Sequence, residues 1–187
     1  MYLGENNMYQ KKNLKIFILS GKAASGKNVV ANIIQEYFKK ENCIQVSYAY
    51  YIKDYLTRMG KYNESEKSRY RSLLQEFGID FLSKHIDSHF LIRRVLEDIE
   101  VFSYFYDVII ITDARLIDEV EIPKKHFQNV TTIRITNHTK NDLTEMEQKH
   151  ITEVDLDLYE KFDYVIENNG SLEELQEKVR FLLKGEE

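Results

Sequence analysis

One octapeptide constrains this chain more than any other feature. Gly21-Lys22-Ala23-Ala24-Ser25-Gly26-Lys27-Asn28 separates two glycines by four residues and follows the second with lysine. Before it lies Leu14 to Ser20 (LKIFILS), a nearly continuous apolar run of the kind a strand buried on both faces requires. After it, Val29, Val30, Ile33, Ile34, Tyr37 and Phe38 recur at helical spacing between Gly26 and Asn42. In a strand, glycine turn and helix of this kind, small residues let successive backbone N–H groups converge on phosphate oxygens. The positive helix end stands behind them, and the Lys27 ammonium reaches the outer phosphates. Residues 21 to 28 are therefore expected to bind the polyphosphate of a nucleoside triphosphate, with ATP as the cofactor.

The remaining pattern builds a sheet around that loop. Short β-branched strands are expected at Cys43 to Tyr48, Val108 to Thr112, Val130 to Ile135 and Tyr164 to Ile166. Ala49 to Met59 reads as a loop passing into a short helix, and Glu64 to Tyr106 as two helices broken near His85 to Ser88. Ser171 and Glu174 form a capping box before a last amphipathic helix. Strands separated by helices predict an α/β, three-layer P-loop fold: a five-stranded parallel sheet with helices on both faces. Residues 1–13 read as a loose arm and 14–187 as one domain. Within it lie a helical insertion at about 50–106 and a charged lid candidate at about 137–150.

Composition narrows the class further. The chain of 187 residues carries 26 basic and 31 acidic side chains, a formal charge of −5, so any anion site must be local rather than a general affinity for nucleic acid or membrane. No apolar run is long enough to span a bilayer. A single cysteine, Cys43, excludes an internal disulfide and a cysteine-cluster metal site, and the first twenty residues lack a signal-peptide layout. A cytoplasmic protein, monomer or homodimer, is expected.

Magnesium enters through two residues. Asn28 stands where such loops normally place a serine or threonine hydroxyl on the ion; its amide oxygen is still a hard neutral ligand, direct or through water. Asp113 ends the strand VIIIT and so falls at the edge of a parallel sheet where the ligand crevice opens, although a helix cap or loop carboxylate would look the same.

Taken in order, several stretches resemble the P-loop nucleoside monophosphate kinases, most closely the deoxynucleoside monophosphate kinases of phages and bacteria. They are GKAASGKN, YAYYIKDYL, RSLLQEFGIDF, ITDARLIDEVE, and HITE followed by DYVIENNGSLEEL. The likeness covers about residues 14 to 184. Animal-type phosphomevalonate kinases are also similar, in their phosphate loop and in a DWVIEN-like ending. The resemblance implies transfer of the ATP γ-phosphoryl group to a small phosphate-monoester acceptor. It places Lys53 and Asp54 at the acceptor monophosphate, His150 and Glu153 in an HxSE-type site, and Asn168 and Asn169 at the adenine.

Transfer of this kind needs cations where two phosphates meet. Arg115, two residues past Asp113, lies at the correct edge of the sheet; the alternative is a surface pair with Asp118 or Glu119. Arg71 and Gln75, four apart, share a helix face and would read phosphate and base, unless that face is simply solvated. Asn169-Gly170 is also good turn chemistry. The lid candidate has no arginine, which together with Asn28 leaves room for a non-catalytic ATP-binding switch.

Overall fold

The computed structural model describes residues 13–63, 70–137 and 149–185, so most of the anticipated lid and nearly all of the N-terminal arm fall outside the described residues. The first half of the chain forms β1 (Lys15–Ser20), α1 (Lys27–Tyr37), β2 (Cys43–Val46) and α2 (Tyr48–Arg58). Next come α3 (Arg71–Gln75), which continues into a π-wound segment (Glu76–Ile86), and α4 (Phe90–Phe102). The second half adds β3 (Val108–Ala114), α5 (Ile117–His126), β4 (Val130–Thr136), α6 (Ile151–Val154), β5 (Tyr164–Glu167) and α7 (Leu172–Lys184).

The sheet runs β2-β3-β1-β4-β5, and all four strand pairs are parallel. β1 lies at its centre because its side chains are apolar on both faces. Phe17 and Leu19 join Val30, Ile33 and Ile34 of α1 and Leu175, Val179 and Leu183 of α7, whereas Ile16 and Ile18 join Ile92, Val95 and Ile99 of α4 and Val120 of α5. Alternation along one strand thus feeds two cores. A third, smaller cluster, Ile52, Leu56, Tyr62 and Leu82 with Leu73, Leu74 and Phe77 against it, ties α2 to the 71–86 segment beside the sheet.

The five predicted strands are present, and the helical break falls where Asp87 accepts the His89 N–H at 2.7 Å and pairs with Arg93. Three local differences have physical causes. The segment after β2 has no loop: α2 starts at once, because Ser47 Oγ accepts the Tyr50 N–H at 3.1 Å and Asp113 takes the two amides before it. α5 appears where no helix was predicted; Pro123 sits inside it, the proline is buried, and the helix ends within one turn of it, at His126. At α7, Ser171 Oγ accepts the Glu174 N–H at 3.3 Å, the first half of the expected box. Among the described residues, no helix is long and apolar enough to cross a membrane.

β1 has β3 on one side and β4 on the other, and the helices that follow β1 and β3, α1 and α5, pack on opposite faces of the sheet. That reversal opens a crevice at the carboxyl ends of the strands, with residues 21–27, 114–116 and 136–137 on its rim.

Candidate active site at the carboxyl edge of the sheet

The loop after β1 is shaped by two glycines that no other residue could replace without movement. Gly21 has φ +157°, and a Cβ there would meet the Ile135 carbonyl at 2.4 Å; Gly26 has φ +101°, and a Cβ would meet Asn168 Nδ2 at 2.4 Å. Ala24 takes the left-handed conformation (φ 59°) between them. The loop's carbonyls are held by side chains. Lys27 Nζ donates to Gly21 O at 2.6 Å and to Lys22 O at 2.9 Å. Asn168 Nδ2 donates to Ser25 O at 2.9 Å, and Asn137 Nδ2 to Ala24 O at 3.3 Å. Ser25 Oγ is buried without a hydrogen-bond partner. With these carbonyls occupied by side chains, the loop keeps amide dipoles for an anion.

Lys27 is buried at the head of α1, and its pKa is pushed down to about 7, first by burial and then by the Arg115 guanidinium; Asp113 and Glu153 pull the other way. An ammonium in this setting is short of negative charge, which a polyphosphate would supply.

Asp113 lies within β3 rather than just after it. Its Oδ1 accepts the Tyr48 N–H at 2.9 Å and its Oδ2 the Ala49 N–H at 3.0 Å, so it closes the start of α2. Burial raises its pKa against those two bonds and the charges of Arg115 and Lys27. Arg115 pairs with the buried Glu153 of α6, not with Asp118 or Glu119. Glu119 instead accepts the backbone N–H groups of Arg115 (2.6 Å) and Leu116 (3.0 Å), and burial pushes its own pKa up to about 8. Asp118 faces His89.

The anticipated acceptor residues divide into two groups. Gln75 reaches α6, donating to Thr152 Oγ1 at 3.2 Å, and His150 Nδ1 accepts the Thr152 N–H at 3.3 Å, so Gln75, His150, Glu153 and Arg115 form one connected wall. Asp54 is taken by Arg58 at 2.8 Å, one turn along α2. Lys53, half-buried, lies on the same face of α2 as Ala49, one turn beyond the Asp113 contact. Arg71 is half-buried at the start of α3; Asn28 and Asn169 are exposed. Asn168 braces the phosphate loop, and its own N–H donates to Thr136 O at 2.8 Å.

Three residues of the site escaped the sequence reading. Arg134 of β4 donates to Ser20 Oγ at 2.9 Å and to Asp157 Oδ1 at 3.0 Å, while Asp157 Oδ2 takes Lys22 at 2.8 Å. Glu119 is the third. The available signal was a lone arginine interrupting an otherwise β-branched strand, VTTIRIT, a costly placement without a partner.

The sequence model of the deoxynucleotide monophosphate kinase family matches residues 58–179. This chain belongs to that family. Two phage members are similar to it: the deoxynucleotide monophosphate kinases of Escherichia phage RB69 (32% identical over 115 residues) and Enterobacteria phage T4 (30% over 115). These alignments cover 61% of this chain but only 44% and 45% of the relatives, so the chain spans less than half the length of the curated relatives it matches.

Among solved structures, dephospho-CoA kinase from Campylobacter jejuni superposes with a TM-score of 0.52 at 12% identity, covering 92% of this chain and 97% of that one. An APS kinase from Mycobacterium tuberculosis gives 0.50 at 12% identity over 93% and 99%, and shikimate kinase from Aquifex aeolicus 0.50 at 15% over 91% and 96%. At such identities the likeness establishes the P-loop kinase fold. The match to the deoxynucleotide monophosphate kinase family covers Arg71, Gln75, Asp113, Arg115, His150, Glu153 and Asn168; the phosphate loop precedes it and stands on its own geometry.

Proposed function

We propose that the protein is a cytoplasmic ATP-dependent phosphotransferase that moves the γ-phosphoryl group of ATP to a deoxynucleoside monophosphate, leaving ADP and a nucleoside diphosphate. The observation that carries this reading is a buried Lys27 at the head of a phosphate loop whose first residues, Gly21 and Lys22, line one pocket with Arg115, near enough to lower the Lys27 pKa, in a chain of this family. Two cations held that near one another are stabilised by an anion between them.

In this reading the amides of residues 21–28 and the Lys27 ammonium hold the β- and γ-phosphates. Arg115 meets the charge that spreads over the equatorial oxygens in the transition state. The acceptor enters from the helical insertion at about 50–106. Lys53 and Arg71 meet its phosphate, Asp54 and Gln75 its polar edges, and the His150–Glu153 wall orients Arg115. Asn168 and Asn169 line the adenine side. Since phosphoryl transfer asks little covalent chemistry of the protein, alignment and charge do the work.

Asn28 and Asp113 are the residues that would hold Mg²⁺. They fit a sparsely ligated hard cation: each Asp113 oxygen accepts one N–H and retains a lone pair, and no group of three His, Cys, Asp or Glu among the described residues could form an all-protein cage. Bound with the phosphates, the ion would neutralise charge on the β- and γ-oxygens.

An acceptor screen tests the proposal: ribo- and deoxynucleoside monophosphates with phosphomevalonate as the contrasting acceptor, read as ADP formation. At least one deoxynucleoside monophosphate is expected to be phosphorylated and to raise the melting temperature beyond ATP alone. A protein that binds ATP yet phosphorylates no monophosphate would overturn it.

A further inference from the structure

Resting on the kinase reading above, we propose that Arg134 is a second phosphate-contacting arginine, delivered to the transferring phosphoryl group by the sheet itself. Arg134 pairs in register with Ser20, the last residue of β1, and so stands beside the first residue of the phosphate loop. Its strand neighbours Ile133 and Ile135 are fully buried, and its own side chain is only 13% exposed. A guanidinium is expensive to bury for structure alone, because an apolar residue would pack there at no desolvation cost.

The partners of that guanidinium point to its ligand. Beyond Ser20 Oγ, Arg134 is satisfied by Asp157, which also takes Lys22 of the loop, while Glu153 takes Arg115. One small pocket is walled by Gly21, Lys22, Arg115, Arg134 and Glu153, with Thr152 at its edge. Three cations at the mouth of a phosphate loop are thus closed by two carboxylates four residues apart. Carboxylate and phosphate oxygens accept the same forked donors. Glu153 Oε2, buried, has no hydrogen-bond partner, so the carboxylate seal is incompletely satisfied and open to exchange.

The sequence adds an independent reason. Residues 137–149 contain no arginine. That stretch supplies lysines, Lys140 and Lys149, but no forked guanidinium; beyond Arg115, the arginine that lines the pocket is the half-buried Arg134 of β4.

The experiment measures ATP–Mg²⁺ affinity by calorimetry and turnover with the best acceptor for wild type, Arg134→Met, Arg134→Lys and Asp157→Asn. Arg134→Met should lower kcat about 100-fold or more while weakening ATP binding by less, and Arg134→Lys should recover part of the loss. Asp157→Asn removes the internal competitor and should tighten ATP binding a few-fold. If Arg134→Met and Asp157→Asn both weaken binding and turnover to the same degree, the pair is an internal brace and the proposal falls; it falls equally if Arg134→Met keeps kcat within about twofold of wild type. Should Arg134→Met not fold, Asp157→Asn decides by the sign of its effect on affinity. Wild-type protein that binds ATP but transfers nothing sinks the kinase reading alone, and the affinities still decide Arg134.

Discussion

Two turns leave the carboxyl ends of neighbouring central strands and solve the same backbone problem in opposite ways. After β1, the protein's side chains take carbonyl oxygens: Lys27 those of Gly21 and Lys22, Asn168 that of Ser25, Asn137 that of Ala24. After β3, they take N–H groups. Glu119 accepts from Arg115 and Leu116, and Asp155 from Ile117 at 2.7 Å, while Asp113 at the end of β3 takes the Tyr48 and Ala49 amides that follow β2. The first turn is left with donors for an anion; the second has spent its donors and offers a side chain, Arg115. A site for anion transfer needs both: a cradle of fixed dipoles, and a charge set on a turn that carboxylates keep rigid.

The sharpest way to break this contrast is Lys27→Met. It should reduce transfer by about three orders of magnitude or more and remove the ATP-induced rise in melting temperature. The fold should tolerate it. With Lys27 at about 7 in the folded protein against 10.5 in the unfolded chain, the unfolded state binds more protons between those values, so wild-type stability gains a contribution as pH rises from about 7 to 10.5. The variant should lack that gain, read as melting temperature against pH. Equal pH profiles would mean that the ammonium is not buried in solution.

Asp113→Ala tests the second turn. It leaves two amides at the head of α2 without acceptors and should cost about 2 kcal/mol or more, visible as a lower urea midpoint, with turnover falling alongside. An unchanged midpoint would show that water replaces the carboxylate and that the turn is not braced as described.

Glu119→Gln keeps an acceptor for Arg115 and Leu116 but removes the titration. Because Glu119 is raised to about 8 from 4.5, the folded state binds more protons across that window, so its contribution is complete below about 4.5 and lost as pH climbs through about 8. One proton corresponds to at most about 1.4 kcal/mol per pH unit. The variant's stability should fall less steeply with pH across that range; parallel curves would place Glu119 in contact with solvent.

The smallest effect is expected from Asn168→Ala, which removes one brace from the first turn. It should cost about 1 kcal/mol of stability and a few-fold in ATP affinity, with kcat nearly kept. A loss of kcat comparable to that of Lys27→Met would make Asn168 a participant in the reaction and not a brace.

Much of this was legible in the chain itself. The five strands and the phosphate loop follow from apolar runs too continuous for a half-exposed sheet and from glycines at fixed spacing, both local properties. Arg93 and Arg94 illustrate the limit: they turn to Asp87 and Glu97 respectively, and nothing local names those partners. α5 is absent from the sequence reading; Pro123 inside it lowers helix propensity, while the burial of Val120 and Pro123 favours the helix.

The sequence determined that a parallel sheet would present a phosphate loop with Lys27 at its head, because strand burial and loop shape are written within a few residues of one another. Only the tertiary structure decided which charges meet there. Arg115 with Glu153, Arg134 with Asp157, and Asp113 with the start of α2 join residues far apart along the chain, brought together by strand order and not by spacing. Electrostatics depends on separation in space and on burial, and neither exists until the sheet has closed its neighbours around the crevice.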